Sequence, residues 1–231
     1  MDLRKRVGVR LGAGLFAALA AGTLAAGCSN SPPSIEATFW QLNLVRNPNS
    51  GRTNEALSFF VDVSADGGIK DLDSIYLLSD DQELFWRLDS TNWAKSERDG
   101  RLWLGSNQIE MNDLSPLPRG VYRVLVTALS GEQAIETFNL NERPLLPSAV
   151  SFPTVVIGRD SVDVSSAFAS TTVWIYNRLG QLIAARAGPP GRWTLASLLP
   201  SSMLQAEATT LVAYAYDRQR GCGVISGPYE F

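Results

Sequence analysis

The apolar residues of this chain recur at every second position, and that period decides what it can fold into. In "ALSFFVDVS", Leu57, Phe59, Val61 and Val63 share one face. In "TFWQLNLV", Trp40, Leu42 and Leu44 do the same, and in "GVYRVLVTA" the set is Tyr122, Val124 and Val126. Alternation of this kind places one side of an extended strand in a core. No long stretch has the 3.6-residue spacing of an amphipathic helix. Only "LASLLPSSMLQAEA" has room for a helical turn.

Turn signals divide the strands. Asp80-Asp81 and Ser130-Gly131 fall at hairpin tips, and Asn177-Arg178-Leu179-Gly180 makes a third. "RPLLPS" at 143–148 carries two prolines and separates two strand series, which marks a domain boundary. Many short strands with turns between them predict an all-β chain of two consecutive β-sandwiches, over 35–142 and 149–231, joined by the 143–148 linker. Trp40, Trp86 and Trp174 sit on alternating apolar faces and are expected in the cores.

Two segments carry a resemblance. "LSPLPRGVYRVLVTALSG" is similar to the corner of bacterial immunoglobulin-like and fibronectin type III-like modules, where L-P-x-G-x-Y leads into a strand. "TVWIYNRLGQLIAARAG" is similar to a hairpin of bacterial immunoglobulin-like C-terminal modules. The resemblance implies two immunoglobulin-like sandwiches. It also implies that the Tyr122 hydroxyl ties the corner to upstream backbone. Trp174 and Tyr214 are expected among the core aromatics of the second sandwich.

The amino terminus points to export. Arg4, Lys5, Arg6 and Arg10 precede an uncharged run from Leu11 to Ala26 that ends in small residues. That run is short of the roughly twenty apolar residues of a membrane span. It has the order of a secretory signal: basic start, apolar core, small-residue end. Leu24-Ala25-Ala26-Gly27-Cys28 resembles the lipobox of bacterial lipoproteins. The resemblance implies a signal peptide over 1–27, a diacylglycerol on the Cys28 thiol and a lipidated tether over 28–34. Several acyl chains together hold a protein on a membrane where one does so only marginally. Ser29 matches the outer-membrane-directed case of that family, so a cell-envelope location at the outer membrane is favoured over the inner one.

Charge and composition then exclude functions. Of the 20 basic and 23 acidic side chains, four and one fall in residues 1–27, so the remainder carries a net charge of −6. Such a balance argues against nucleic acid as a partner. The chain holds no histidine, which removes Ser-His-Asp and Cys-His arrangements and the common zinc sites. Asp66, Asp71 and Asp73 cluster near a glycine pair but lack the spacing of a calcium loop, and they read as turn-forming acids. No enzyme activity, metal or cofactor is expected. With Cys28 lipidated, Cys222 has no partner in the chain and is expected to be a buried, inert thiol.

The expected role is a non-catalytic binding or scaffolding module for a protein partner; the alternative is a glycan. Trp93 and Trp103 border the polar segment "STNWAKSERDGRLWLG" and are the candidate ligand-binding residues. Packing of these two rings beneath the loop is the competing explanation. The lipidation is open to direct measurement. Intact mass of protein extracted from membranes is expected to show a chain that begins at Cys28 and carries acyl mass. A chain beginning earlier, or one without acyl mass, overturns the assignment.

Overall fold

Strands form where the alternation predicts them, and one more, over Ala94–Arg98, forms in the polar segment by pairing with its neighbour. The computed structural model describes residues 31–98, 100–199 and 201–231. Cys28 and the segment before it therefore lie outside the described residues. The strands are β1 (Ser34–Arg46), β2 (Thr53–Ser64), β3 (Leu72–Ser79), β4 (Leu84–Asp89), β5 (Ala94–Arg98), β6 (Arg101–Ile109), β7 (Gly120–Ala128) and β8 (Gln133–Leu140) before the 143–148 segment. After it come β9 (Thr154–Ile157), β10 (Ser161–Ser165), β11 (Thr171–Asn177), β12 (Leu182–Gly188), β13 (Gly191–Thr194), β14 (Ala208–Asp217) and β15 (Cys222–Glu230). Two short helices, α1 (Leu195–Leu198) and α2 (Ser202–Glu207), occupy the one stretch with helical room. The Thr194 side chain caps α1 by accepting from the Ser197 backbone N–H. Among the described residues no helix is long and apolar enough to cross a membrane.

The architecture is all-β, with three sheets. An eight-stranded sheet runs in the order β12-β11-β14-β15-β1-β2-β6-β5, a four-stranded sheet in the order β4-β3-β7-β8, and a three-stranded sheet in the order β13-β10-β9. One core gathers Leu42, Leu57, Phe59 and Val61 against Ile75, Leu77, Tyr122, Val124 and Val126. A second gathers Val162 and Val164 with Val173, Ile175, Leu198, Leu211 and Ala213. In the first core the Phe138 ring stacks on Trp40, Phe59 and Tyr122 at centroid distances of 5.3, 5.8 and 5.4 Å. Such offset ring contacts add to the stabilisation from burial alone.

The cores are separate, but the sheet between them is continuous. β1 pairs in parallel with β15, Asn43 opposite Gly223 through Arg46 opposite Ser226. The strand series on either side of 143–148 thus share one sheet, and residues Ser31–Phe231 form a single compact unit. A third small cluster of Leu44, Val150, Cys222 and Val224 packs at this join. Periodicity within each half carries no information about pairing between strands so far apart in the chain.

The 143–148 segment is held from below by a buried carboxylate. Glu55 on β2 accepts from Arg119 Nη1 and Nη2 at 2.9 and 2.8 Å, and from the backbone N–H groups of Leu117 and Leu145 at 3.1 and 2.9 Å. Its side chain is only 3% exposed, so these four donors replace the water it gave up. Nearby, the Tyr122 hydroxyl donates to the Pro118 carbonyl at 2.9 Å, tying the corner to backbone four residues upstream.

Cys222 is buried and has no disulfide. Burial, with the Asp217 charge adding to it, pushes the thiol up to about 11 from its ordinary 9.0.

Two outcomes follow. Glu55→Ala leaves the Arg119 guanidinium and two backbone N–H groups without their acceptor, and is expected to lower the unfolding free energy by about 3–5 kcal/mol in urea titration. Asp80→Ala breaks the exposed Arg123 pair and is expected to leave the midpoint nearly unchanged; equal midpoints for the two variants refute the clamp. The second outcome concerns alkali. An unfolded chain releases the Cys222 proton first, so the thiol's contribution is intact below pH 9 and is lost between 9 and about 11. Over that interval wild type is expected to lose more stability than Cys222→Ala.

Candidate functional site

A strand that carries large apolar residues at adjacent positions must use both of its faces. β1 has Phe39 beside Trp40, and β2 has Phe59 beside Phe60. Trp40 and Phe59 enter the first core, while Phe39 and Phe60 project from the other side of the eight-stranded sheet. The same division holds in the second half. Val173 and Ile175 of β11 enter the core, so Trp174 and Tyr176 lie on the opposite face. This second face is the candidate site.

The middle of this face holds a set of polar side chains and two bare glycines. Gln41 Nε2 donates to Asn43 Oδ1 at 2.8 Å and to the Tyr214 hydroxyl at 3.1 Å. Asn43 Nδ2 donates to Ser58 Oγ at 3.0 Å and to the Gln41 carbonyl at 3.1 Å. Asn43 is fully buried, and this network satisfies it. A side chain at position 223 would overlap Asn43 Oδ1, and one at 105 would overlap the Phe59 carbonyl oxygen. Glycine at both places lets Asn43 and the Phe60 ring lie flat across neighbouring strands. Trp174 stacks on Tyr214 with centroids 5.0 Å apart, one strand over from the network.

Two adjoining cavities of about 870 and 1010 Å³ open on this face of the sheet. Both are walled by Trp93, Ala94, Asn107, Tyr176, Gly180 and Gln181. The first two of these residues flank the start of β5 and the last two lead into β12, the strands at the opposite edges of the sheet. The sheet is therefore curled, and its edges face each other across a groove. Phe39, Phe60, Trp103, Trp174 and Tyr176 supply aromatic rings to the lining. Burial raises the pKa of the Tyr176 phenol. Lys95 and Glu110 are the charged residues of the lining, and the Glu110 carboxylate already accepts from Asn54 Nδ2 at 2.6 Å.

The two expected ligand-binding tryptophans meet here in unequal roles. Trp103 is half-buried and faces the groove. Trp93 is 8% exposed and belongs to the first core, although it also borders both cavities; among the described residues its indole N–H has no acceptor. Packing beneath the loop is thus correct for Trp93. Trp174 and Tyr214 are a correction: both were expected in the second core, and both lie on the groove face. Alternation sorts residues into two faces without saying which face is covered. Phe39, Phe60 and Tyr176 were not singled out from sequence, although the adjacent pairs Phe39-Trp40 and Phe59-Phe60 are the signal that finds two of them.

Among the described residues, only Asp71 of the acids near the glycine pair accepts within the turn. Asp71 accepts from the Gly67 N–H at 2.7 Å and Asp66 from the Ser31 N–H at 3.0 Å. Asp73 accepts from the Ser74 hydroxyl at 2.8 Å.

No protein-family model matches the chain, and no curated protein does. Among solved structures, Tp47, the 47-kilodalton lipoprotein of Treponema pallidum, is similar at 10% identity and a TM-score of 0.33, over 87% of this chain and 52% of its own. Dimeric latent PorU from Porphyromonas gingivalis is similar at 13% identity and a TM-score of 0.32, over 87% of this chain and 20% of its own. The BSP domain of a biofilm-associated protein has 14% identity and a TM-score of 0.24, over 75% of this chain and 27% of its own. This chain spans about half the length of the first and far less of the other two. At these scores nothing about function is taken from them.

Proposed function

We propose that this chain is a non-catalytic binding module of the bacterial cell envelope, held by a lipid on Cys28, and that its ligand lies in the groove of the eight-stranded sheet. On this reading the two cores are immunoglobulin-like sandwiches fused edge to edge. The observation that carries it is the groove lining. Rings from β1, β2, β6 and β11 line two adjoining cavities on one face of the sheet. Concave, aromatic-lined surfaces with a few polar groups are where ligands bind. Strands hold the rings in place before a ligand arrives, which reduces the ordering cost of binding. A single carboxylate in the lining, already hydrogen-bonded, supports retention of a ligand over hydrolysis.

A protein partner has its own supporting surface. On the outer face of the four-stranded sheet Phe85, Val121 and Ile135 are 66%, 54% and 55% exposed. Exposed apolar side chains gathered on one sheet face mark contact surfaces.

Retention on envelope fragments separates the two surfaces. Detergent-extracted full-length protein is expected to co-sediment with washed fragments, and Trp103→Ala with Phe39→Ala is expected to reduce retention at least tenfold. Phe85→Ser with Ile135→Ser is expected to leave it intact. The reverse pattern moves the binding surface to the four-stranded sheet and overturns the groove.

A further inference from the structure

The groove has the chemistry of a site for an uncharged oligosaccharide, and we infer that this is its ligand class; the inference rests on the groove being the binding site. Charge is the first observation. The two cavities are walled by Thr91, Ser96, Asn107, Gln108, Gln181 and Thr210 among others, with Lys95 and Glu110 as the charged groups. An anionic polymer, a phosphate or a lipid headgroup would be desolvated there with one lysine to receive it. A polyhydroxylated neutral ligand has no such cost.

Unused amides are the second observation. Among the described residues the Asn107 and Gln108 side chains make no hydrogen bond, whereas Gln181 uses its Oε1 to accept from Asn177 Nδ2 at 3.0 Å and keeps Nε2 free. Each primary amide offers a donor and an acceptor close together, which matches adjacent hydroxyls on a pyranose ring. The third observation is the set of rings. Phe39 stands on a sheet face at 43% exposure, with Phe60, Trp103 and Tyr176 around the same cavity. Aromatic faces pack against the C–H faces of sugars, and rings fixed on strands do so without being ordered first.

Shape and edge chemistry separate a glycan from a peptide. The two cavities adjoin through Asn107, Tyr176 and Gln181, so the site is longer than one sugar ring and suits a chain. An extended peptide would instead add to a sheet edge beside the groove. Two edges border the groove: β5, "AKSER", carries Lys95 and Glu97, and β12, "LIAARAG", carries Arg186, and charged residues on an edge are the ordinary guard against strand addition.

Calorimetric titration of detergent-extracted full-length protein with cellohexaose, chitohexaose, laminarihexaose, maltohexaose and mannohexaose tests the assignment. At least one is expected to bind, with a hexasaccharide of galacturonic acid at least tenfold weaker. Asn107→Ala and Phe39→Ala remove exposed side chains that leave the fold intact, and each is expected to weaken binding at least fivefold. Phe85→Ala is expected to change nothing. Binding by none of the neutral hexasaccharides overturns the inference, as does equal binding by the acidic one. Envelope fragments digested with protease keep the two proposals apart. Groove-dependent retention that disappears on digestion leaves the binding site standing and replaces the glycan with a protein.

Discussion

The parallel pairing of β1 with β15 is the contact on which the rest of this structure depends. It joins strands from the two ends of the described chain, and it needs glycine at 223 because Asn43 and Gln41 fill the space a side chain would take. Without it there would be two smaller sheets, each backing one core. With it there is a single sheet of eight strands whose far edges curl toward each other. The groove exists because that sheet is continuous.

A sheet buried on one face and open on the other usually reads as apolar in and polar out. Here the open face is neither bare nor ordinary. Its centre is closed by a satisfied amide and hydroxyl network around Asn43, and its flanks carry rings from strands of both halves. The network stiffens the middle of that face, since its members fix one another's orientation. Glu55 extends that rigidity to the 143–148 segment by holding Leu145 and the Arg119 corner together.

Much of this was legible in the residues. Hairpin tips at Asp80-Asp81, Ser130-Gly131 and Asn177–Gly180 lie where turn chemistry puts them, with Gly131 and Gly180 at positive φ of 95° and 72°. The Tyr122 hydroxyl reaches the Pro118 carbonyl as the corner motif implies. The site was less legible. Trp103, expected to bind a ligand from its polar surroundings, lines the groove, while Trp93, next to the same segment, lies in the first core. Trp174 sits between Val173 and Ile175 in a pattern that looks like any core strand. Its environment depends on which face of β11 the three-stranded sheet covers, and that sheet is formed by β9, β10 and β13 elsewhere in the chain.

The sequence by itself determined the strands, the turns, the exclusion of histidine chemistry and the acidic balance, because each depends on neighbouring residues or on composition alone. Only the tertiary structure decided that two strand series share one sheet, that Trp174 and Tyr214 face away from the core, and that rings from both strand series line one groove. Those facts depend on pairing between β1 and β15, nearly the whole chain apart. Side-chain periodicity is a property of one strand, and it cannot carry the register between two.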